Sequence, residues 1–314
     1  MKQIEIVEVA PRDGLQNEPV HLPVADKVEL IDRISAAGAR RIEAVSFVSS
    51  RVPQMSDAEA VLAGLPSRAS TVGRPRPRIS GLVLNARGLA RALRTTVDEI
   101  NYVVPASDTF SLRNQGAPTD AVVAEFTGIA RQAREAGLGV TATIATAFGC
   151  PFEGEVSTGR VVGIARQLLA AGLDELAVAD TIGVAVPADV HRVVGGIGEL
   201  DPGVPLRAHF HNTRNTGYAN AVAAIEAGIS VLDSSAGGIG GCPFAPSATG
   251  NIATEDLLYL LTRSGYATGI DPIAAADIGQ WLSAKLGHSQ PAALLGRAGW
   301  FPSAQAETTV TSSA

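Results

Sequence analysis

The sequence predicts a (β/α)8 TIM barrel carrying additional C-terminal helices, and three observations carry that expectation. One phrase recurs along the chain: SAAGARRIEAVSF, REAGLGVTATIA, LAAGLDELAVADT and IEAGISVLDSS. Each joins the last turn of an Ala-rich helix to a glycine and then to a β-branched run. Gly38, Gly137, Gly172 and Gly228 stand where a helix needs a left-handed residue to stop it. The strands themselves are short and nearly continuous in apolar character, the pattern of a parallel sheet covered by helices. Finally, about eight such units over roughly 260 residues is the size of a closed barrel. A doubly wound open sheet alternates in the same way, but no GxGxxG follows the first strand.

Taken in order, strands are expected over 4–10, 41–48, 78–84, 99–104, 139–147, 174–180, 205–211 and 229–235. Helices fill the gaps, as in PVADKVELIDRISAAG and YANAVAAIEAG. The Pro-, Ser- and Arg-rich stretch 66–78 joins a helix to the next strand, which places it on the barrel's N-terminal face. Barrel sites lie on the opposite face, so it reads as a solvated loop. Residues 1–270 are expected to form the catalytic barrel, 271–302 helices packed outside it, and 303–314 a polar, disordered tail.

Composition narrows the function. The 314 residues are 46% hydrophobic and 18% charged, with aromatics at 4%, so the core must be built from small aliphatic side chains. A net charge of −6 argues against a nucleic-acid surface, which needs a concentrated positive field. No apolar run reaches the roughly 18 residues of a membrane span. The opening MKQIEIVEVA is strand-like and lacks the layout of a signal peptide. Cys150 and Cys242 are too few for a disulfide framework. The expectation is a soluble, cytoplasmic protein with reduced thiols, and a homodimer as the default assembly.

Chemistry concentrates at the strand ends. In HFHN, His209 and His211 are two apart, so both project from the same side of the seventh strand. Taken alone, that pair fits core or surface histidines as well as metal ligands. Barrel closure brings neighbours to it. The first strand runs into VAPRDGLQNE, delivering Arg12 and Asp13, and the eighth into SSAGGIGGCPFAPSATGN, delivering Cys242 and Asn251. Asp13, His209, His211 and Asn251 would offer two oxygens and two nitrogens. That mixture suits an octahedral divalent ion such as Mg²⁺ or Mn²⁺ better than a closed zinc site.

VEVAPRDGLQNE, SFVSSRVPQMSDAEAV, ATAFGCPFEGEVS, ADTIGV, HFHN and SSAGGIGGCPFAPSATGNIATEDLLYLL together resemble the hydroxymethylglutaryl-CoA lyase family, within the wider group of metal-dependent barrel lyases and aldol-type synthases. The resemblance runs in order from about residue 4 to residue 270. It implies an enzyme that cleaves 3-hydroxy-3-methylglutaryl-CoA, or a closely related 3-hydroxyacyl-CoA, to acetyl-CoA and a keto acid. It implies the same four metal ligands, Arg12 set against the thioester oxygen, and Cys242 as acid–base catalyst. Glu43 and Asp180 are placed in the active site, to orient Arg12 or the metal ligands or to accept the hydroxyl proton. Gln16 is expected to hydrogen-bond near the metal or substrate. Lysine occurs only as Lys2, Lys27 and Lys285, none at the end of a predicted strand, so a Schiff-base route is closed. Cys150 reads as structural. Thr254 is a plausible helix cap, and for Glu255 and Asp256 helix-end stabilisation is as good an account as catalysis.

The chain departs from the family's usual HCHDTYGQALAN. Asn212 replaces an acidic residue, and Arg214, Asn215 and Thr216 replace an aromatic–Gly–Gln run. SFVSSRVPQ also looks one residue short. These changes bear on substrate choice, and Arg214 is expected to contact a carboxylate or polar branch of the substrate. A lyase or synthase acting on another branched hydroxy acid or acyl-CoA is the alternative. A metal hydrolase fits less well, because His21, His191 and His288 all lie away from predicted strand ends.

Overall fold

Eight parallel strands pair each with the next, and the last returns to the first, closing a barrel. The computed structural model describes residues 2–48, 52–66, 76–201, 203–241, 250–288 and 293–301. The strands are β1 (Glu5–Glu8), β2 (Arg41–Ser46), β3 (Arg78–Val83), β4 (Glu99–Pro105), β5 (Gly139–Ala145), β6 (Glu175–Asp180), β7 (Leu206–Phe210) and β8 (Val231–Ser234). Between them run α1 (Val24–Ala36), α2 (Ala58–Gly64), α3 (Ala86–Ala92), α4 (Asp108–Gln115), α5 (Thr119–Glu135), α6 (Thr158–Ala170), α7 (Pro187–Gly198) and α8 (Gly217–Glu226). After β8 come α9 (Thr254–Arg263), α10 (Pro272–Leu286) and α11 (Leu295–Ala298).

Each expected strand is present, with its ends displaced by at most two residues. The helix stops also fall where the glycines placed them. Gly38 has φ 109°, and the N–H groups of Gly38 and Ala39 bond the carbonyls of Ser35 and Ile34. That is the paired bonding of a Schellman stop, and Gly137, Gly172 and Gly228 are left-handed at the equivalent places. The first strand ends earlier than its apolar run. Pro11 has no N–H to extend the ladder, and Ala10–Gly14 winds into a single π-helical turn with Gly14 N–H on the Val9 carbonyl at 3.1 Å. A short ladder of Lys2–Gln3 with Tyr266–Ala267, not expected from the sequence, ties the start of the chain to the segment after α9.

The two faces of the barrel wall differ sharply. Outward, Ile6, Ile42, Ile100, Val140, Leu176 and Leu232 are buried against the helices. Each such side chain contributes ~1.5–3 kcal/mol relative to exposure. Inward, where branched aliphatics usually fill a barrel, this chain places ions. Arg41 bonds Glu99 at 2.7 Å and Glu175 at 2.8 and 2.9 Å. Arg207 lies 3.2 Å from Glu175 and 3.6 Å from Asp233. The expected aliphatic core is therefore the outer one, and the bore holds a chain of ion pairs.

Helix α10 caps its own start with the Asp271 carboxylate, which accepts from Ile273 and Ala274 N–H at 2.8 and 3.3 Å. It packs on α9 and on the turn Ala236–Gly238 that follows β8. Among the described residues, no helix is long and apolar enough to cross a membrane. Of the loop expected at 66–78, residues 67–75 lie outside the described residues, as does the whole 303–314 tail.

Gly279 on α10 faces Glu255 so closely that a Cβ there would stand 2.4 Å from the Glu255 carboxylate and 3.3 Å from Gly237 Cα. Gly279→Ala is expected to destabilise the protein by about 1–3 kcal/mol through this overpacking, read as a lower Tm. A higher Tm, reflecting only alanine's gain of ~1 kcal/mol in helix propensity, would show that the carboxylate yields freely.

Candidate metal centre and active-site cavity

Pairing of β1 with β8 sets Val7 beside Asp233, while pairing of β7 with β8 sets Ala208 beside Leu232. The turn after β1 and the end of β7 thereby meet above the bore. His211 Nε2 lies 3.6 Å from Asp13 Oδ2, and His209 Nε2 lies 3.9 Å from it. One donor atom from each of Asp13, His209 and His211 falls within 4.8 Å of the others.

Asn251 arrives after the glycine-rich loop, its backbone bridged to that of His211. Its Nδ2 donates to Asp13 Oδ2 at 2.8 Å and to the Ile239 carbonyl at 3.0 Å. The carbonyl contact fixes which way the amide points, because only the NH₂ can donate to it. Asn251 Oδ1 is then left buried with no hydrogen-bond partner. Gly240 makes the approach possible. It has φ 108°, and a Cβ there would stand 2.5 Å from Asn251 Nδ2 and 2.9 Å from the Asp13 carbonyl.

His209 is oriented from behind. Its Nδ1 lies 3.2 Å from Asp233 Oδ2, which leaves Nε2 toward Asp13. A carboxylate on the far nitrogen of a ligating imidazole is the usual way to fix its tautomer and ring plane. Arg12 bonds Glu43 through Nε and Asp13 Oδ1 through Nη1 at 2.6 Å, and Glu43 also accepts from Asn101 Nδ2 at 2.7 Å. Glu43 sits beside a bulge in β2, where its register with β3 shifts, a feature common next to sites.

Burial alone would raise the Asp13 carboxyl. The Arg12 guanidinium, His211 and His209 outweigh burial and hold Asp13 well below the usual carboxylate range. Burial likewise opposes charge on Asp233, yet Arg207 and His209 keep its carboxyl below the ordinary value. For His209 burial lowers the imidazole, but Asp233 and Asp13 raise it above its usual value.

Three tests of the donor set agree on a cation. Asn251 Oδ1 is buried without a partner. The ligand atoms are mixed oxygen and nitrogen, as a six-coordinate divalent ion accepts. Among the described residues, the ion-paired set in and above the bore has four guanidiniums, Arg12, Arg41, Arg78 and Arg207, against six carboxylates, Glu5, Asp13, Glu43, Glu99, Glu175 and Asp233. Six formal negative charges against four positive leaves two, which matches the charge of one divalent cation.

Above this set opens a cavity of about 410 Å³, lined by Arg12, Asp13, Gln16, His209 and His211 among others. Val52, Leu84 and Phe110 give it an apolar side. Asn17 donates to the Gly241 carbonyl at 2.5 Å, and Gly241 lines the cavity. Cys242, the next residue, lies outside the described residues.

The structure thus brings together Arg12, Asp13, Gln16, Glu43, His209, His211 and Asn251. Other expected residues sit differently. Arg214 does not line the cavity; its Nη1 donates to the carbonyls of Ile182 and Gly183 at 3.2 and 2.9 Å. These bonds tie it to the loop after β6. Asn212 and Asn215 serve their own turn, with Asn212 accepting from Gly217 N–H and donating to Asn215, whose φ is 62°. Asp180 accepts from Val184 and Ala185 N–H at 2.9 and 3.0 Å, holding that same loop, and burial raises its carboxyl. Thr254 does not cap α9. Its hydroxyl donates to Glu8 at 2.6 Å, and the cap position is Ala253. Asp256 accepts from Leu294 and Leu295 N–H, which anchors the C-terminal segment. Cys150 is buried, with Ser107 Oγ donating to its sulfur at 2.8 Å.

Sequence reasoning passed over Asp233, Asn101 and Glu8. Asp233 was legible as the acidic residue of SVLDSS, and its position in the strand turns it inward beside His209. Glu8 and Glu255 grip the turn after β8 from two sides. Glu8 accepts from Ala236 N–H at 3.0 Å, and Glu255 accepts from Gly237 N–H at 3.0 Å. Burial pushes Glu8 up to about 7 and Glu255 up to about 8.

Two measurements check these assignments. His211→Gln is expected to weaken Mn²⁺ binding by roughly 100-fold or more, an effect at or above that of losing a supporting partner, with unchanged far-UV circular dichroism; retained affinity would remove His211 from the set. The second concerns pH. Because Glu255 in the fold is raised to about 8 from an ordinary 4.5, the folded chain keeps a proton that the unfolded chain releases. Its stabilising contribution is complete below about pH 4.5 and is lost as pH rises through about 8. The Tm of Glu255→Gln should fall less than wild type between pH 5 and 8, by roughly 2–4 °C for each kcal/mol concerned. Parallel curves would contradict the raised carboxyl.

Comparison with known proteins places this geometry. The family model described as HMGL-like matches residues 3–281. The (R)-citramalyl-CoA lyase of Chloroflexus aurantiacus is 45% identical over 95% of this chain and 96% of its own length. The 3-hydroxy-3-isohexenylglutaryl-CoA/hydroxy-methylglutaryl-CoA lyase of Pseudomonas aeruginosa is 40% identical over 92% and 94%. A solved HMG-CoA lyase from Acinetobacter baumannii, in complex with coenzyme A and 3-methylmalate, superposes with a TM-score of 0.88 at 39% identity and covers 95% of both chains. The barrel is the one these lyases share, and the chain belongs to the HMGL-like family, as an enzyme of the carbon–carbon lyase class.

Proposed function

We propose that this enzyme cleaves a branched 3-hydroxyacyl-CoA bearing a carboxylate, releasing acetyl-CoA and a keto acid, with a divalent cation held by Asp13, His209, His211 and Asn251. The observation that carries the reading is the convergence of the Asp13, His209 and His211 donors at a cavity that also presents Arg12. The relatives named for citramalyl-CoA and for hydroxymethylglutaryl-CoA define the two substrates to try first. Mg²⁺ and Mn²⁺ are the ions to supply.

When bound, the cation polarises the substrate's hydroxyl and carboxylate oxygens and so eases loss of the hydroxyl proton. The chain's residues supply the rest. As the bond between C2 and C3 breaks, its electron pair moves onto the thioester, and the hydroxyl-bearing carbon becomes the ketone. Arg12, held by Glu43 and Asp13, sets its guanidinium where negative charge grows on the thioester oxygen. The hydroxyl proton passes to a carboxylate of the site, Glu43 or Asp180. The enolate takes a proton at C2 from the Cys242 thiol, which completes acetyl-CoA, and the thiolate recovers a proton from that carboxylate through solvent. Gly241 at the cavity wall supports that role for its successor in the chain.

Acetyl-CoA release should be followed with citramalyl-CoA, 3-hydroxy-3-methylglutaryl-CoA and longer branched analogues, with Mg²⁺ or Mn²⁺ and after chelation. The expected result is turnover of at least one thioester, lost with chelator and restored by metal. Full activity in metal-stripped enzyme, or none on any thioester, overturns the reading. Cys242→Ser is expected to lower kcat by about 10²–10⁴-fold while Mn²⁺ affinity is unchanged.

A further inference from the structure

We propose that Arg207 and Asp233 are positioning residues for the metal ligand His209, acting on it from beneath the cavity through the ion chain of the bore. Arg207 is fully buried, with nothing of its side chain exposed. It lies two residues before His209 on β7, so both point into the barrel. A guanidinium there is costly where an aliphatic side chain would fill the space without desolvating a charge. Its placement therefore calls for a reason beyond packing.

The contacts supply one. Arg207 Nε stands 3.2 Å from Glu175 Oε1 and 3.6 Å from Asp233 Oδ1, and Nη2 donates to Thr143 Oγ1 at 3.3 Å. Nε, Nη1 and Asp233 Oδ1 are all buried without a directed hydrogen bond. Charge, more than bond geometry, holds Arg207 between the two carboxylates. Glu175 is itself fixed by both terminal nitrogens of Arg41, so Arg207 is anchored from below. With its Oδ1 side drawn to Arg207, Asp233 presents Oδ2 to His209 Nδ1 at 3.2 Å. The imidazole then turns Nε2 toward Asp13. Thr143 and Asp233 both line the cavity while Arg207 lies behind them, so Arg207 reaches the centre only through its neighbours.

The inference rests on the metal reading of the donor set, and Mn²⁺ binding followed by electron paramagnetic resonance tests the two separately. Wild-type protein is compared with Asp233→Asn, Arg207→Met, Arg207→Lys and the Asp233→Asn/Arg207→Met pair, each checked for native circular dichroism without metal. Asp233→Asn and Arg207→Met are each expected to weaken Mn²⁺ binding by about 10–100-fold. Arg207→Lys, which keeps the charge, should recover affinity to within about 3-fold of wild type. If Arg207 acts through Asp233, the double variant loses no more than Asp233→Asn alone. Wild-type affinity in folded Arg207→Met, or losses that multiply in the double variant, overturn the proposal. Should Arg207→Met fail to fold, wild-type affinity in Asp233→Asn overturns it equally. A wild-type protein that binds no Mn²⁺ removes the metal reading itself, whereas binding that is indifferent to these variants removes only the positioning role.

Discussion

Pairing of β1 with β8 is the contact on which the rest of the molecule depends. It runs from Glu5 opposite Val231 to Glu8 opposite Ser234 and joins the two ends of the sheet. Without it the turn carrying Arg12 and Asp13 has no fixed relation to the histidines of β7. With it, residues from three separate parts of the chain come within reach of one ion. The same ladder places Glu8 under the turn that follows β8, where its carboxylate accepts from Ala236 N–H and from Thr254. Closure of the fold and construction of the site are one event.

That closure is achieved around charge. A bore filled with Val and Leu would be simpler to desolvate, yet the described interior carries Arg41, Glu99, Glu175, Arg207 and Asp233 in contact. Ion pairs of this kind add little net stability over aliphatic packing, but breaking one by removing a partner costs about 3–5 kcal/mol. The network is thus better understood as a means of specifying position than as a source of stability. It ends at His209, and its three carboxylates outnumber its two guanidiniums, so the residual negative charge lies beneath the Asp13, His209 and His211 donors.

Much of this was legible in the sequence, for identifiable reasons. The repeated helix–glycine–strand phrase fixes where each unit stops, because only glycine takes the φ of 109° found at Gly38 without strain. The spacing of two between His209 and His211 fixes their common side. What was not legible depends on partners distant in sequence. Nothing in LRAHF says that Arg207 meets Glu175, 32 residues earlier, and Asp233, 26 residues later. Thr254 reads as a cap because it opens a helix, yet it stands one residue past the cap position, and its hydroxyl donates to Glu8, 246 residues away. Arg214 reads as a substrate contact because it adds a cation near the histidines, but a neighbouring loop offers two carbonyls first.

The departures around Asn212 are built into the contact between two loops. The segment after β7 and the loop after β6 are interlocked. Arg214 holds Ile182 and Gly183, and Gly183, at φ 62°, packs so tightly on Thr213 that a Cβ would lie 2.7 Å from its hydroxyl. Asp180 fixes the other side of the same loop through Val184 and Ala185. Between these anchors stands Thr181, which lines the cavity and whose hydroxyl accepts from Thr146 N–H at 2.8 Å. The residues after β7 that differ from the family pattern therefore meet the cavity at one remove, through the loop that carries Thr181.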